Sequence, residues 1–286
     1  MLTAPYGGPG FTFAVDTFTG APSAATSGTV QISGPGTANV DGTEVQLFSA
    51  LARDVCYVVI AASDAFVSGG NNGALLDLMI DPAGGTSWSS FVDDLLIGST
   101  PNLTAGTIGH ETVYHLPLWI PAGASLAVRM RHRASGTPDA RVGAWLYGEP
   151  AHPQLWWCGQ RVESLGINAG TSQGTSHTPG TTGAYSSWAT IGTSTRRYGA
   201  LQMGIQYPAA TLAAQGYYWQ MGVGGEKLPG SPTIFAAAST TEALGKNGLC
   251  QPIWCDLPSG TAIQTRGVSS LASSPTALDV AFYGVY

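Results

Sequence analysis

The feature that most constrains this chain is an internal repeat. Residues 116–129 read Pro, aliphatic and Trp, followed by a Pro-x-Gly turn and a strand that reaches an Arg, and residues 251–266 repeat this order with two extra residues before the turn. The segment 144–148, Ala-Trp-Leu-Tyr-Gly, has its counterpart in Val-Ala-Phe-Tyr-Gly at 280–284. Shorter matches precede both copies in the same order. The chain is therefore interpreted as one folding unit duplicated in tandem, because the period exceeds the roughly 20–50 residues of solenoid repeats.

The length of the chain agrees with two units. A chain of 286 residues is expected to hold about two domains. The repeat places the boundary near residues 149–150, with a first unit at 11–150 and a second at 151–286. Residues 1–10 are rich in Gly and Pro and are predicted to form an N-terminal arm.

The local pattern indicates strands rather than helices. A short apolar, β-branched run with turn residues on both sides predicts a buried strand at 55–60, and the next strand is predicted at 75–80, between an Asn-Asn-Gly turn and a Gly/Pro turn. The segment 91–97 fits either a strand or one helical turn. Further strands are predicted at 114–120, 126–132, 141–147, 198–205, 217–223, 233–237, 253–255, 262–268 and 277–283. No segment carries a sustained helical stripe with capping residues. The fold class predicted is all-β, with two tandem duplicated β-sandwich or jelly-roll-like domains.

Composition excludes several classes of protein. Charged residues make up 10% of the chain, against about 25% in average globular proteins, and the net charge is -6. Such a chain is expected to repel nucleic acid phosphates, and its apolar runs are too short for membrane insertion. The N-terminus lacks a basic region followed by an apolar core, so no signal peptide is expected. Its four cysteines do not recur between the copies and are predicted to be free thiols.

Three motifs resemble catalytic or metal sites but lack the required context. Residues 170–174 read G-x-S-x-G, which works in esterases only between a strand and a helix, and here the pattern lies in a Gly/Ser/Thr-rich loop. His110 and His115 are one residue too far apart for the H-E-x-x-H zinc motif. Asp93 and Asp94 lack an identifiable partner carboxylate and are interpreted as a solvated pair. We therefore predict no catalytic residue, no cofactor and no metal site.

Arginines alternate along the strand predicted at 126–132. Arg129, Arg131 and Arg133 share one sheet face because side chains two apart point the same way. Arg129 has a counterpart in Arg266 and is predicted to be structural. Arg131 and Arg133 belong to the first unit alone, and we predict that they contact acidic groups of a partner. The alternative is a solvated outer face.

The N-terminal arm is the second candidate for partner contact. It cannot form a core, but Leu2 and Tyr6 can anchor it on a neighbouring molecule at the cost of ordering a flexible segment. Scarce charge over the whole chain also favours a protein that packs against neighbours, because large weakly charged patches mark interfaces.

Exposed aromatic rings are the candidates for ligand binding. Trp119 and Trp254 occupy equivalent positions in both copies and are assigned to the fold. The candidates for stacking on a sugar are the tryptophans that do not recur: Trp88, Trp156, Trp157, Trp188 and Trp219. Burial in the core is the alternative for each of them.

Taken together, these motifs resemble a known group of proteins. Each unit has a Gly/Thr/Pro segment (35–37 and 177–188), a buried strand, the Pro-aliphatic-Trp strand, the Pro-x-Gly turn and a closing aromatic-Tyr-Gly strand. This order resembles the tandem β-sandwich virion proteins of tailed bacteriophages, over nearly the whole chain past the arm. The resemblance implies a non-enzymatic tail, fibre or capsid-decoration component, made in the host cytoplasm and carried in the virion. Its implied partners are other virion proteins and copies of itself.

Two alternatives from other classes stay open. One is a carbohydrate-binding module that acts in host adsorption on a surface glycan. The other is a secreted enzyme whose site the sequence does not reveal.

Overall fold

The computed structural model of the protein describes most of the chain. The described residues are 15–18, 30–62, 73–97, 112–133, 136–148, 157–206, 215–231, 233–238, 243–247 and 252–286. The predictions made for Leu2, Tyr6, Trp156, His110 and Cys250 lie outside them. Within these ranges, no helix is long and apolar enough to cross a bilayer.

The described part of the first half forms two antiparallel sheets. Its strands are β1 (Val15–Phe18), β2 (Val30–Ser33), β3 (Val45–Phe48), β4 (Val55–Ala62), β5 (Ala74–Asp81), β6 (Ser89–Ile97), β7 (Thr112–Leu116), β8 (Ser125–His132) and β9 (Asp139–Gly148). One sheet has the order β1-β9-β4-β7, with β2 also paired to β9, and the other has the order β3-β8-β5-β6. Side chains from both sheets share one hydrophobic cluster, so the sheets pack face to face as a β-sandwich.

The described part of the second half forms two more antiparallel sheets. Its strands are β10 (Val162–Leu165), β11 (Thr175–His177), β12 (Ala189–Thr193), β13 (Tyr198–Gln206), β14 (Gln215–Val223), β15 (Glu226–Lys227), β16 (Ile234–Ala238), β17 (Ala243–Asn247), β18 (Ile253–Leu257), β19 (Ala262–Ser269) and β20 (Leu278–Val285). One sheet has the order β10-β20-β13-β18, with β11 also on β20. The other has the order β12-β19-β14-β16-β17, with β15 on β14.

The strand order of one half matches that of the other. When β10, β20, β13 and β18 are put in the places of β1, β9, β4 and β7, the first sheets coincide, and β11 pairs with β20 as β2 pairs with β9. The second sheets also coincide, with β15 and β17 as additions. Leu146 in β9 and Phe282 in β20 both point into the core of their own sandwich, and the following Tyr147 and Tyr283 point away from it. The all-β double-sandwich fold is thus shown, while duplication as its origin stays a prediction.

The strong strand predictions agree with the observed elements. The segments 55–60 and 75–80 lie in β4 and β5, and 91–97 is strand, not a helical turn. The strand predicted at 114–120 is shorter than expected. β7 ends at Leu116, immediately before Pro117, whose ring nitrogen cannot donate to a sheet.

Each sandwich has a dense apolar interior. In the second sandwich the largest buried side chains are Trp219, Tyr198 and Tyr217, which are inaccessible to solvent. Trp219 stacks on Tyr217 with ring centroids 6.5 Å apart, and a Cβ on Gly267 would approach its ring to 2.7 Å. Aromatic side chains of this size dominate core energetics, so this layer is a main source of stability in the second half.

The first sandwich is closed on one side by the second. Strands β6 and β7 are the edges of its two sheets. Its hydrophobic cluster continues between them into Ala200, Ala281, Tyr283 and Val285, on the outer face of the sheet that contains β13 and β20. The core of the first sandwich therefore extends onto the outer face of one sheet of the second, whose own interior is a separate hydrophobic cluster. The halves meet across an apolar junction rather than a polar domain interface.

The contact between Tyr283 and the edge strands is specific as well as apolar. The Leu96 amide donates to the Tyr283 hydroxyl at 2.7 Å, and the Tyr114 hydroxyl donates to the Leu96 carbonyl at 2.6 Å. The Tyr114 and Tyr283 rings meet edge to face, with centroids 5.2 Å apart. The backbone amide and the backbone carbonyl of Leu96 in β6 are thus both hydrogen-bonded to tyrosine side chains of other strands.

A buried polar group completes the junction. Gln206 in β13 donates its side-chain amide to the carbonyls of Ala74 and Ile97, at 3.1 and 2.7 Å. Beside it, Arg133 at the end of β8 lies 3.2 Å from the Asp279 carboxylate in β20. These two side chains are only 11% and 2% exposed, so the ion pair is buried between the halves.

Candidate functional site: an aromatic groove at the edge of the second sandwich

An aromatic groove lies beside the edge strand β18. It is lined by Trp157, Arg197, Tyr198, Gly199, Trp254, Cys255 and Asp256, and its volume is about 420 Å³. The residues come from three places in the chain: the segment before β10, the start of β13, and β18. The groove therefore forms only when these segments pair.

Trp157 forms the floor of the groove. Its side chain is 44% exposed, which is unusual for so large an apolar ring. A Cβ on Gly199 would come within 2.5–2.6 Å of three atoms of this ring, so the ring lies against the bare glycine backbone. Because Gly199 has no side chain, one face of the Trp157 ring packs directly on the backbone. The other side of the indole is open to solvent.

Trp254 forms a wall beside that floor. Its ring is almost perpendicular to that of Trp157, with an interplanar angle of 88° and centroids 6.2 Å apart. Trp254 is only partly buried and packs against the hydrophobic cluster of the first sandwich. The groove is consequently an open corner between two indoles, next to the junction of the two halves.

A bulge in β18 brings the polar residues of the groove into place. Tyr198 pairs with Leu257 and Ala200 pairs with Trp254, so the same stretch of the ladder advances two residues along β13 and three along β18. Cys255 and Asp256 lie at this irregularity, and bulges re-aim side chains in this way.

The rim of the groove carries a two-point ion pair. Arg197 donates through Nε and Nη2 to the two carboxylate oxygens of Asp256, both at 2.6 Å. Hydrogen bonding to Arg197 holds the pKa of Asp256 below its usual range, so the carboxylate stays ionised near neutrality. The pair has no net charge, and it presents both donors and acceptors to solvent.

Cys255 is not a nucleophile in this setting. Burial, with a smaller contribution from Asp256, raises the pKa of its thiol to about 12. The thiolate is the reactive form of cysteine, so this side chain is inert near neutral pH. Cys255 is a free thiol, in agreement with the prediction from the sequence.

The other predicted stacking residues lie elsewhere. Trp219 is completely buried, so its prediction as a ligand-stacking residue is wrong: both faces of the ring are covered by the core. Trp88 is half-buried, in the turn before β6. Trp188 is also half-buried and packs over the Arg266 guanidinium, 4.4 Å from the ring centroid. Trp119, assigned to the fold, is 39% exposed.

The arginines of β8 have acidic partners within the chain. Arg131 pairs with Asp41 at 2.6 Å, and Arg129 pairs with Asp77 at 2.7 Å. The partner of Arg133 is Asp279, in the other half. The acidic groups that the sequence analysis assigned to a partner of Arg131 and Arg133 are therefore supplied by this chain.

The G-x-S-x-G pattern at residues 170–174 does not form a nucleophile elbow. Ser172 of the G-x-S-x-G pattern has positive φ, 50°, but is completely buried at the end of a 3-10 turn (Ala169–Thr171). A nucleophile elbow instead exposes its serine. Among the described residues, no group of three or more His, Cys, Asp or Glu side chains is placed to hold a metal ion.

Asp94 departs from the solvated pair that the sequence suggested. It is half-buried, and its backbone amide donates to the Asp77 carboxylate at 2.7 Å. Burial, together with the nearby Asp77 charge, raises the pKa of Asp94 to about 6. Its φ of 60° is a left-handed conformation that Asp and Asn adopt more readily than most residues.

We expect Asp94→Asn to flatten the dependence of stability on pH. The folded-state pKa of Asp94 lies above its unfolded value of 3.8, so its stabilising contribution is complete below that value and is lost as pH rises through about 6. After discounting for solvent screening, wild type should lose about 1 kcal/mol more than the variant between about pH 4 and pH 7. Urea denaturation across this range measures the difference, with the exposed Asp93→Asn as control. Parallel profiles for wild type and Asp94→Asn would contradict the assignment.

Comparison with known proteins adds little to this geometry. No family model matches the chain, and no curated protein matches it. One solved structure that aligns with it is that of PNGase F, a glycosylasparaginase from Flavobacterium meningosepticum. The alignment covers 88% of this chain and 99% of that one, with 10% identity and a TM-score of 0.28. A likeness this weak supports no conclusion about fold or activity.

Proposed function

We propose that the protein is a non-enzymatic structural subunit of a tailed-bacteriophage particle, as a tail, fibre or capsid-decoration component. The observation that carries this proposal is the apolar junction at which the core of the first sandwich extends onto the second. Because the junction is closed by apolar packing and a buried ion pair, the halves form one rigid block with a fixed outer shape. A rigid block is suited to repeated packing against copies of itself and other virion proteins.

Scarce charge supports the same proposal. Only 10% of the residues are charged, and several pair within the chain. Little charge is left to keep separate copies apart, so association costs less desolvation than it does for an ordinary surface.

Deleting residues 1–10 should reduce assembly without unfolding the protein. The reason is that the sequence predicts an arm in which Leu2 and Tyr6 can anchor on a neighbouring molecule. Light scattering should give an oligomer mass for the full chain and a lower mass for the deletion, and incorporation into particles should fall in parallel. A matched variant with Leu2 and Tyr6 both changed to Ser tests the anchors alone. Unchanged assembly removes the arm from the proposal, and a full-length protein that stays monomeric and absent from particles overturns it.

The second candidate function is carbohydrate binding during host adsorption. One observation favours it: Trp157 exposes a ring face in a groove that also carries Arg197 and Asp256. Exposed aromatic rings beside hydrogen-bonding side chains suit the two faces of a sugar, one apolar and one hydroxylated. The two candidate functions are compatible, since a particle component can also bind the host surface.

A further inference from the structure

We infer that the groove binds the terminal pyranose of an uncharged glycan, with the apolar C–H face of the sugar on Trp157. This inference rests on the second candidate function and deepens it by naming the site and the class of sugar. It does not depend on membership in a particle.

The exposed indole supplies the apolar half of the recognition. An aromatic ring has a negative face, and the C–H bonds on one side of a pyranose carry a weak positive charge, so the two surfaces attract as well as exclude water. Trp157 can serve as this platform because Gly199 seats its other side and fixes its orientation. A fixed ring loses little conformational freedom on binding.

The perpendicular Trp254 limits what can lie on that platform. A long, flat glycan chain needs coplanar rings spaced along a surface. Here the second indole stands at 88° to the first and blocks extension on one side. The volume of about 420 Å³ also lies in the lower part of the roughly 300–1,000 Å³ range of ligand sites. The corner therefore fits the end of a glycan chain rather than its middle.

The ion pair at the rim selects for an uncharged sugar. Arg197 uses Nε and Nη2 on Asp256 and retains further N–H donors, while the Asp256 oxygens keep free lone pairs. Neighbouring sugar hydroxyls can donate to the carboxylate and accept from the guanidinium without breaking the pair. An acidic sugar would have to compete with Asp256 for Arg197 and would face its negative charge.

Binding is tested on the full-length protein with defined sugars. The uncharged probes are the methyl glycosides of glucose, galactose and N-acetylglucosamine, and the acidic probes are glucuronic acid and sialic acid. Saturation-transfer NMR and calorimetry should detect at least one uncharged probe with a Kd of roughly millimolar, with the C–H face of the sugar receiving the strongest transfer. The acidic probes should bind more weakly than the uncharged ones.

Three variants assign the binding to this groove. Trp157→Ala should weaken binding about tenfold or more, as removal of a stacking ring does for other flat ligands. Gly199→Val should have a similar effect although Trp157 is kept, because the valine side chain would occupy the space in which the indole now lies. Trp119→Ala removes a comparably exposed tryptophan from the first half and should leave binding unchanged. Near-ultraviolet circular dichroism confirms that each variant is folded.

The outcomes separate the inference from the function on which it rests. If an uncharged sugar binds and Trp157→Ala leaves its affinity unchanged, carbohydrate binding stands and this site is wrong. A preference for acidic sugars overturns the proposed sugar class. If no probe binds at millimolar concentration, the inference and the carbohydrate-binding candidate fall together, and the structural proposal is unaffected.

Discussion

Replacing Arg133 by methionine is expected to lower the free energy of unfolding by about 3–5 kcal/mol. The change removes one partner of a buried ion pair and leaves the Asp279 carboxylate without its cation between the two halves. Burial already raises the pKa of Asp279 to about 6, with Arg133 opposing the rise. Without the guanidinium, the pKa should rise further and the folded protein should take up a proton. Chemical denaturation at neutral pH measures the loss.

A double-mutant cycle separates the pair from its surroundings. Arg133→Met combined with Asp279→Leu removes both charges, and we expect it to recover most of the loss, because a well-packed apolar pair often replaces a buried ion pair without cost. Arg131→Met is the matched control in the same strand. Its pair with Asp41 is more exposed, so a loss of only about 0–1 kcal/mol is expected. If Arg133→Met and Arg131→Met lower the free energy of unfolding equally, burial at the junction does not determine the size of the loss.

Tyr283→Ala is expected to destabilise both halves together, by about 3–5 kcal/mol. The side chain is completely buried, and truncating a large aromatic residue leaves a cavity. It also leaves the Leu96 amide without its hydroxyl acceptor. Because Tyr283 belongs to the second half and Leu96 to the first, hydrogen exchange should speed up in β6 and β20 alike.

The repeat supplies a control for this substitution. Tyr147 occupies the equivalent place in β9 but is only half-buried, so Tyr147→Ala should cost about 1 kcal/mol. If Tyr283→Ala accelerates exchange in β20 and leaves β6 protected, the two halves unfold independently and the apolar junction does not couple them.

Much of the fold was predictable because its central strands are apolar. β4 and β5 carry nearly continuous buried runs, and turn residues mark their ends. The short strands escaped prediction. β10 reads Val-Glu-Ser-Leu, and β12 buries Ile191 alone, so neither has enough alternation to stand out. Both strands pair with distant strands, β20 and β19, and the sequence does not show these pairings.

The candidate site was only partly predictable. Alternation places Tyr217 and Trp219 on one face of β14 and Tyr218 on the other, but period alone does not say which face is buried. Trp157 and Trp219 were therefore equal candidates in the sequence, although one is exposed and the other completely buried. Arg197 was missed because it meets Asp256 only through the pairing of β13 with β18.

One sequence signal did mark the groove. The second copy of the repeat carries two more residues before its Pro-x-Gly turn than the first copy does, and by alignment these are Cys255 and Asp256. They form the irregularity in β18 and line the groove. A length difference between two otherwise matching segments of the sequence therefore marks the position of the groove.

The position of β20 matters for how the protein is synthesised. The N-terminal part of a chain leaves the ribosome first, so β1–β9 emerge long before β20. Until then, the open side of the first sandwich lacks Tyr283, and Arg133 lacks Asp279. Co-translational folding, which usually completes one domain before the next, must here leave the first domain unfinished. A nascent chain that stalls before β20 would therefore expose an apolar surface that chaperones and proteases recognise, so incomplete chains would be open to degradation.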